Sequence, residues 1–194
     1  MAFLIKPAAG QDKPQVFTYT ILKGGESIGK YKTQRTVEGS KVTVVYQSDI
    51  NLHLIFSIRI VEQVINVYSN NKLLISKQSR YINGKEKVCN SAYLKDNGYL
   101  LKQLNGEISN FSGYITHTIA DLFLNEPDDY TTVYSENHQL QLTVTNMGLH
   151  KYMLQFPNGN INYYTYKNGI ATQMEAHTAW KTVVFVLDQP LAEK

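Results

Sequence analysis

The chain predicts a mainly β protein: a large curled antiparallel sheet, or half-barrel, of about ten strands with one central helix at about 113–124. Three observations carry this. Five Asn-Gly pairs (Asn83-Gly84, Asn97-Gly98, Asn105-Gly106, Asn158-Gly159 and Asn168-Gly169) stand between runs of Val, Ile, Leu, Thr and Tyr. Asn followed by Gly accepts the positive φ of a type I′ turn at the least steric cost, so each pair reads as a hairpin tip. The run Val42, Val44, Tyr46, Ile50, Leu52, Leu54, Phe56, Ile58 and Ile60 keeps to even positions, which is the period of a strand with one dry face. One segment, 114–123, instead spaces Ile115, Ile119, Leu122 and Phe123 as a helical stripe.

In order along the chain, Val16–Leu22 is a strand and Gly24-Gly25 a tight connection. Ser27–Thr36 follows, and Glu38-Gly39 turns into the even-numbered run. As one strand, Val42 to Ile60 would stretch about 60 Å at about 3.3 Å per residue. Two solutions stay open: a turn near Ser48-Asp49 or Asn51 that keeps parity, or one long curved strand. Hairpins continue through Val64–Tyr68, Lys72–Tyr81, Glu86–Leu94 and Tyr99–Leu104, with Asn70-Asn71 as a further turn. Ser112 can cap the helix and Asn125-Glu126-Pro127 stop it; a strand is the alternative, because Thr and Ile favour sheets. Strands resume at 131–135, 139–145, 151–156, 161–167, 170–176 and 182–187.

Residues 1–13 read as a disordered N-terminus or signal-peptide remnant, 14–188 as a single antiparallel β domain and 189–194 as a loose tail. Ala8 and Gly10 have the −3/−1 spacing of a signal-peptidase site before Gln11, although Met1–Ile5 is too short an apolar run for a whole signal. No stretch is long enough to span a bilayer as a helix. The formal charge is +3, and Lys77, Arg80, Lys85 and Lys87 are the nearest thing to a basic patch, too dispersed to point to nucleic acid. Charged residues are only 18%, so the outer faces are largely uncharged, as in many exported sheet proteins. The single cysteine, Cys89, excludes an internal disulfide and a cysteine zinc site and reads as packing on a strand.

Several short runs resemble one another's counterparts in a family of uncharacterised bacterial domains of unknown function seen mostly in Bacteroidetes. They are Tyr19-x-Ile21 with Glu26-Ser27-Ile28-Gly29, Asn70-Asn71-Lys72-Leu73 with Asn83-Gly84-Lys85, and Ile115 to Pro127 ending Leu122-Phe123-x-x-Glu126-Pro127. Tyr134-Ser135-Glu136-Asn137, then Tyr152-x-Leu154-x-Phe156-Pro157-Asn158-Gly159, then Asn162-Tyr163, Tyr166 and Asn168-Gly169 complete the set. The resemblance implies an exported protein, periplasmic or extracellular, whose long strands surround a helix as in the half-barrels of periplasmic lipoprotein carriers. It brings no activity, cofactor or catalytic residue. His117 stands where a Tyr or similar residue is expected, so no catalytic role passes to it.

The motifs of catalysis are absent. His53, His117, His138, His150 and His177 form no paired metal motif, and there is neither G-x-S-x-G nor a phosphate loop. No cofactor is indicated. His117 and Asp121 would meet at i, i+4 on a helix, and with Glu136 they are the polar candidates for a site. Three readings follow. The first is a non-enzymatic exported protein holding a lipid, acyl chain or other apolar small molecule in the curled sheet. Its cavity candidates are Leu52, Leu54, Phe56, Ile115, Ile119, Leu122 and Phe123. The second is a cell-envelope structural or interaction module with no small-molecule site. The third is a hydrolase-like enzyme with a site near the helix.

Overall fold

The computed structural model describes residues 13–53, 56–178 and 181–189. Among them fourteen strands form one antiparallel sheet, not about ten. Eight precede the interior segment: β1 (Gln15–Lys23), β2 (Glu26–Glu38), β3 (Lys41–His53), β4 (Ser57–Ser69), β5 (Lys72–Ile82), β6 (Lys85–Lys95), β7 (Gly98–Lys102) and β8 (Ile108–Ser112). Six follow it: β9 (Thr132–Ser135), β10 (Leu140–Asn146), β11 (Lys151–Gln155), β12 (Ile161–Lys167), β13 (Ile170–Thr178) and β14 (Lys181–Leu187). Segments 1–12 and 190–194, which hold the signal-remnant expectation and most of the tail, lie outside the described residues, as does Leu54.

The spatial order runs β8 to β1, then β14 back to β9. Two meanders are therefore joined by pairing of the first and last strands, Tyr19 opposite Leu187 and Ile21 opposite Phe185. A sheet this wide curls to cover its dry face. Curling brings its two edges, β8 and β9, toward each other, and side chains seal the seam. The Gln139 amide donates to the Ser91 and Lys102 carbonyls, and Asn90 donates to the Glu136 and Asn137 carbonyls. Phe111 and Tyr134 meet edge to face across it.

Turn chemistry explains most hairpins. Asn83-Gly84 and Asn168-Gly169 have positive φ at both residues, as do Gly24-Gly25 and Asn70-Asn71. At Asn105-Gly106 and Asn158-Gly159 only the glycine is positive. Asn97-Gly98 departs from expectation. The turn is Asp96-Asn97, and Gly98 opens β7, where a Cβ would collide with the Phe111 carbonyl oxygen. Gly98 is thus required for close strand approach. The Val42–Ile60 run divides between β3, which ends at His53, and β4, which begins at Ser57, later than either expected site. His53 opposite Ser57 keeps even residues inward on both strands, Ile50 facing Ile60 and Ser48 facing Glu62.

There is no central helix at 113–124. The segment between β8 and β9 crosses the concave interior as an extended strap with one 3-10 turn, Ile119–Phe123. The β-branched run Ile115, Thr116, Thr118, Ile119 disfavours α-helix, and sheet-like bonds take its backbone groups. The Leu73 N–H donates to the Ile115 carbonyl at 2.8 Å, and the Tyr134 N–H to the His117 carbonyl at 2.9 Å, in a parallel bridge with Thr118. Ser112 belongs to exposed β8 rather than to a cap. Leu122 and Phe123 pack into one buried cluster, with Tyr19, Tyr31 and Tyr164. Ala120 and Leu124 pack into a second, with Val44, Leu73 and Tyr99. The strap therefore plugs the barrel and ties two cores together.

Candidate binding cavity

Above the strap, the concave side opens into a cavity of about 360 Å³. Its apolar wall comes from Ile50, Ile119, Phe123, Phe156, Met174 and Phe185. Alternation aims these side chains inward, and Tyr31 stacks on Phe123 with ring centroids 4.3 Å apart.

The polar side of the cavity is built from cross-strand neighbours on β4 and β5. Arg80 lies opposite Glu62 and binds it at 2.9 Å, with both side chains largely shielded. The same carboxylate oxygen accepts from Gln78 Nε2 at 2.5 Å and from the Tyr46 hydroxyl at 3.2 Å. Burial pulls the Arg80 guanidinium down, but Glu62 outweighs it and holds the group above its ordinary value. Gln78 directs its amide N–H to Glu62, which leaves Oε1 turned away, and that oxygen has no hydrogen-bond partner. The Tyr31 hydroxyl is likewise buried and unpartnered. Gln78 is 3% exposed and Tyr31 4%.

Beneath the cavity a second polar group anchors the strap. Asp121 Oδ2 accepts from the Tyr68 hydroxyl at 2.5 Å, the Thr118 N–H at 2.8 Å and the Thr118 hydroxyl at 3.1 Å. Asn66 Nδ2 donates to Thr118 Oγ1 and to Glu136 Oε1, both at 2.8 Å, and the Ala120 N–H reaches the same glutamate oxygen at 3.4 Å. Burial raises Asp121 against the pull of the Tyr68 and Thr118 bonds. Burial also pushes Glu136 up to about 7, opposed by Asn66 and reinforced by Asp121. Glu136 spans both groups, since it also lines the cavity.

The expected site residues divide. Ile119, Phe123 and Glu136 line the cavity. Leu122 and Ile115 are buried in the two cores and do not line it. Leu52 is inward but lies at the far end of β3, beside a separate pocket of about 490 Å³ near Lys23 and His53. Phe56 sits in the β3–β4 turn and is 77% exposed, because the chain reverses there instead of continuing inward. His117 does not bond Asp121. It stacks on Tyr130 at 3.8 Å, because the extended backbone sends residues 117 and 121 to different partners.

Sequence reasoning missed Glu62, Gln78 and Arg80. Glu62 carried a signal, since it is the next even position after Ile60. Arg80 does not belong with the exposed lysines, for it points inward. Ser135 Oγ lies 3.2 Å from His138 Nδ1, but the same oxygen accepts the His138 N–H at 3.2 Å, the pattern of a turn-capping hydroxyl. Among the described residues no group of three His, Cys, Asp or Glu could hold a metal, and no helix is long and apolar enough to cross a membrane.

In fold the chain is similar to the crystal structure of a beta-barrel-like protein of domain of unknown function DUF1849 from Brucella abortus. The TM-score is 0.64 at 11% identity, over 90% of this chain and 95% of that one. No curated protein matches the chain. Residues 19–188 match the model of DUF6134, a domain of unknown function, and the chain belongs to that family.

Proposed function

We propose that this protein is a binding protein that holds a small, largely apolar molecule in the mouth of its curled sheet. One observation carries the reading. In an interior otherwise filled by the strap, an aromatic-walled cavity of about 360 Å³ remains, and two buried polar atoms without partners, Gln78 Oε1 and the Tyr31 hydroxyl, belong to its lining. Ligand sites combine these features: an apolar lining, a few converging polar groups and a volume of about 300–1,000 Å³. Buried polar groups left unpaired cost about 1–3 kcal/mol each, so a ligand that pairs these two gains from them. The volume is at the low end, which suits a short acyl chain or a compact apolar body rather than a whole two-chain lipid.

Export to the periplasm or cell exterior is part of the proposal and rests on the Ala8/Gly10 spacing. Fractionation of the tagged natural protein tests it; recovery from the cytoplasm alone contradicts it.

Native mass spectrometry tests the binding reading. The purified protein is expected to carry, or to take up from added 1-octanol, one small adduct. Ala176→Trp, on the cavity wall contributed by β13, is expected to abolish the adduct while thermal unfolding stays cooperative. Absence of any adduct in the natural protein, with and without 1-octanol, contradicts the reading.

A further inference from the structure

We propose that the cavity selects a ligand pairing a cationic amine head with an apolar body, the ammonium seated against Glu136 and the Gln78 amide oxygen. The inference rests on the binding reading above and specifies its ligand class.

Charge inventory leads to it. Of the charged groups at the cavity, Glu62 and Arg80 neutralise one another at 2.9 Å. Burial and Arg80 both lower the His138 pKa, which favours its neutral form. Glu136 remains. Its oxygen Oε1 receives neutral donors only, the Asn66 amide and the Ala120 N–H. The groups around it do not supply a counter-charge. On the strap side Asp121 is a second carboxylate, and on β4 Tyr68 donates to Asp121. The tyrosines in its field, Tyr31 and Tyr46 on β2 and β3, Tyr134 on β9 and Tyr164 on β12, are neutral. An ionised carboxylate in such a place is strongly disfavoured without a cation.

The unpartnered atoms agree with this. Gln78 Oε1 can only accept, and its orientation is fixed because its N–H groups face Glu62. A ligand must therefore bring donors. An ammonium has three and no acceptor. A carboxylate ligand would have Arg80 as its one Lys or Arg partner in the lining, and Arg80 is already engaged with Glu62. The aromatic wall of Phe123, Phe156 and Phe185 takes the apolar body.

The test compares octylammonium, octanoate and 1-octanol, three probes with the same chain, by calorimetry on the whole protein at pH 8 and pH 6. The amine stays charged across this range, since alkyl amines of the lysine type titrate near ~10.4. Octylammonium is expected to bind at least tenfold more tightly than 1-octanol at pH 8. The cation favours ionised Glu136, whose ionised fraction falls as pH falls through about 7. Octylammonium affinity should therefore drop about tenfold from pH 8 to pH 6, while 1-octanol stays level. Glu136→Gln keeps the acceptor for Asn66 and is expected to remove both the preference and the pH dependence. Gln78→Met, a second variant, is expected to weaken octylammonium several-fold and leave 1-octanol unchanged. Equal or tighter binding of octanoate, or a preference that survives Glu136→Gln, overturns the inference and leaves the binding reading intact. If none of the three probes binds, both fall together.

Discussion

The interior of the barrel holds two linked polar groups, and they differ in whether their open atoms line the cavity. In the strap anchor, Asp121, Thr118, Tyr68 and Asn66 share donors and acceptors among themselves, Asp121 Oδ2 alone accepts three bonds, and the one open atom, Asn66 Oδ1, lies away from the cavity. In the cavity group, Glu62 is saturated, yet Gln78 Oε1 and the Tyr31 hydroxyl have no partner. The lesson is that a buried polar cluster rich in internal bonds holds the fold together, whereas open polar atoms matter for binding where they line a cavity a ligand can enter.

The comparison can be broken by substitution, beginning with the strap. Leu122 is fully buried under the first core, and Leu122→Ala should cost about 3 kcal/mol in urea unfolding, the usual range for a large-to-small core change. A cost near zero would mean that the strap does not plug the barrel. Asp121→Ala strands the Thr118 N–H and leaves the Tyr68 hydroxyl only its longer bond to Thr118 Oγ1, and should cost about 2 kcal/mol by the same measurement. The loss should be larger than that of a cavity-lining Ile119→Val change, about 1 kcal/mol.

Acidity sharpens the contrast. Glu136 and Asp121 both have folded-state values raised above their unfolded ones, so each favours the protonated form in the folded protein. The folded protein then binds more protons than the unfolded chain, and stability falls as pH rises. For Glu136 the contribution is full below its unfolded value of 4.5 and is lost as pH rises through about 7. The two carboxyls titrate as a linked pair. Without ligand, thermal stability should therefore decline between pH 5 and pH 8, and Glu136→Gln should flatten that decline. An unchanged slope in the variant would remove Glu136 as its source.

Much of the sheet was legible because two simple rules act locally. Asn-Gly and Gly-Gly positions marked hairpin tips, and even parity from Val42 to Ile60 marked the inward face of β3 and the start of β4. Parity then fails where the ladder slips. The register shift at Val67/Tyr68 sets an extra residue, Leu74, into β5, so Leu73 at an odd position and Gln78 and Arg80 at even ones share the interior. No local pattern marks such a slip, and Arg80 read as one more surface cation beside Lys77 and Lys85. The strap misled for a related reason. Ile115, Ile119, Leu122 and Phe123 are all inward or buried, as the helical stripe requires, but an extended segment with one turn satisfies the same set. What decided between them was pairing to Leu73 and Tyr134, residues far along the chain. The cavity itself arises from closure of β1 on β14, a contact that sequence separation hides.

Two tyrosines give the most direct measurement, since both are buried and inward and differ only in what their hydroxyls meet. Tyr68 donates to Asp121, and Tyr31 faces the cavity without a partner. Urea unfolding of ligand-free Tyr68→Phe and Tyr31→Phe, side by side, should show a loss of about 1–2 kcal/mol for the first and no loss, or a slight gain, for the second. Equal losses would show that the cavity hydroxyl is bonded within the chain after all, and the distinction between anchor and binding site would not hold.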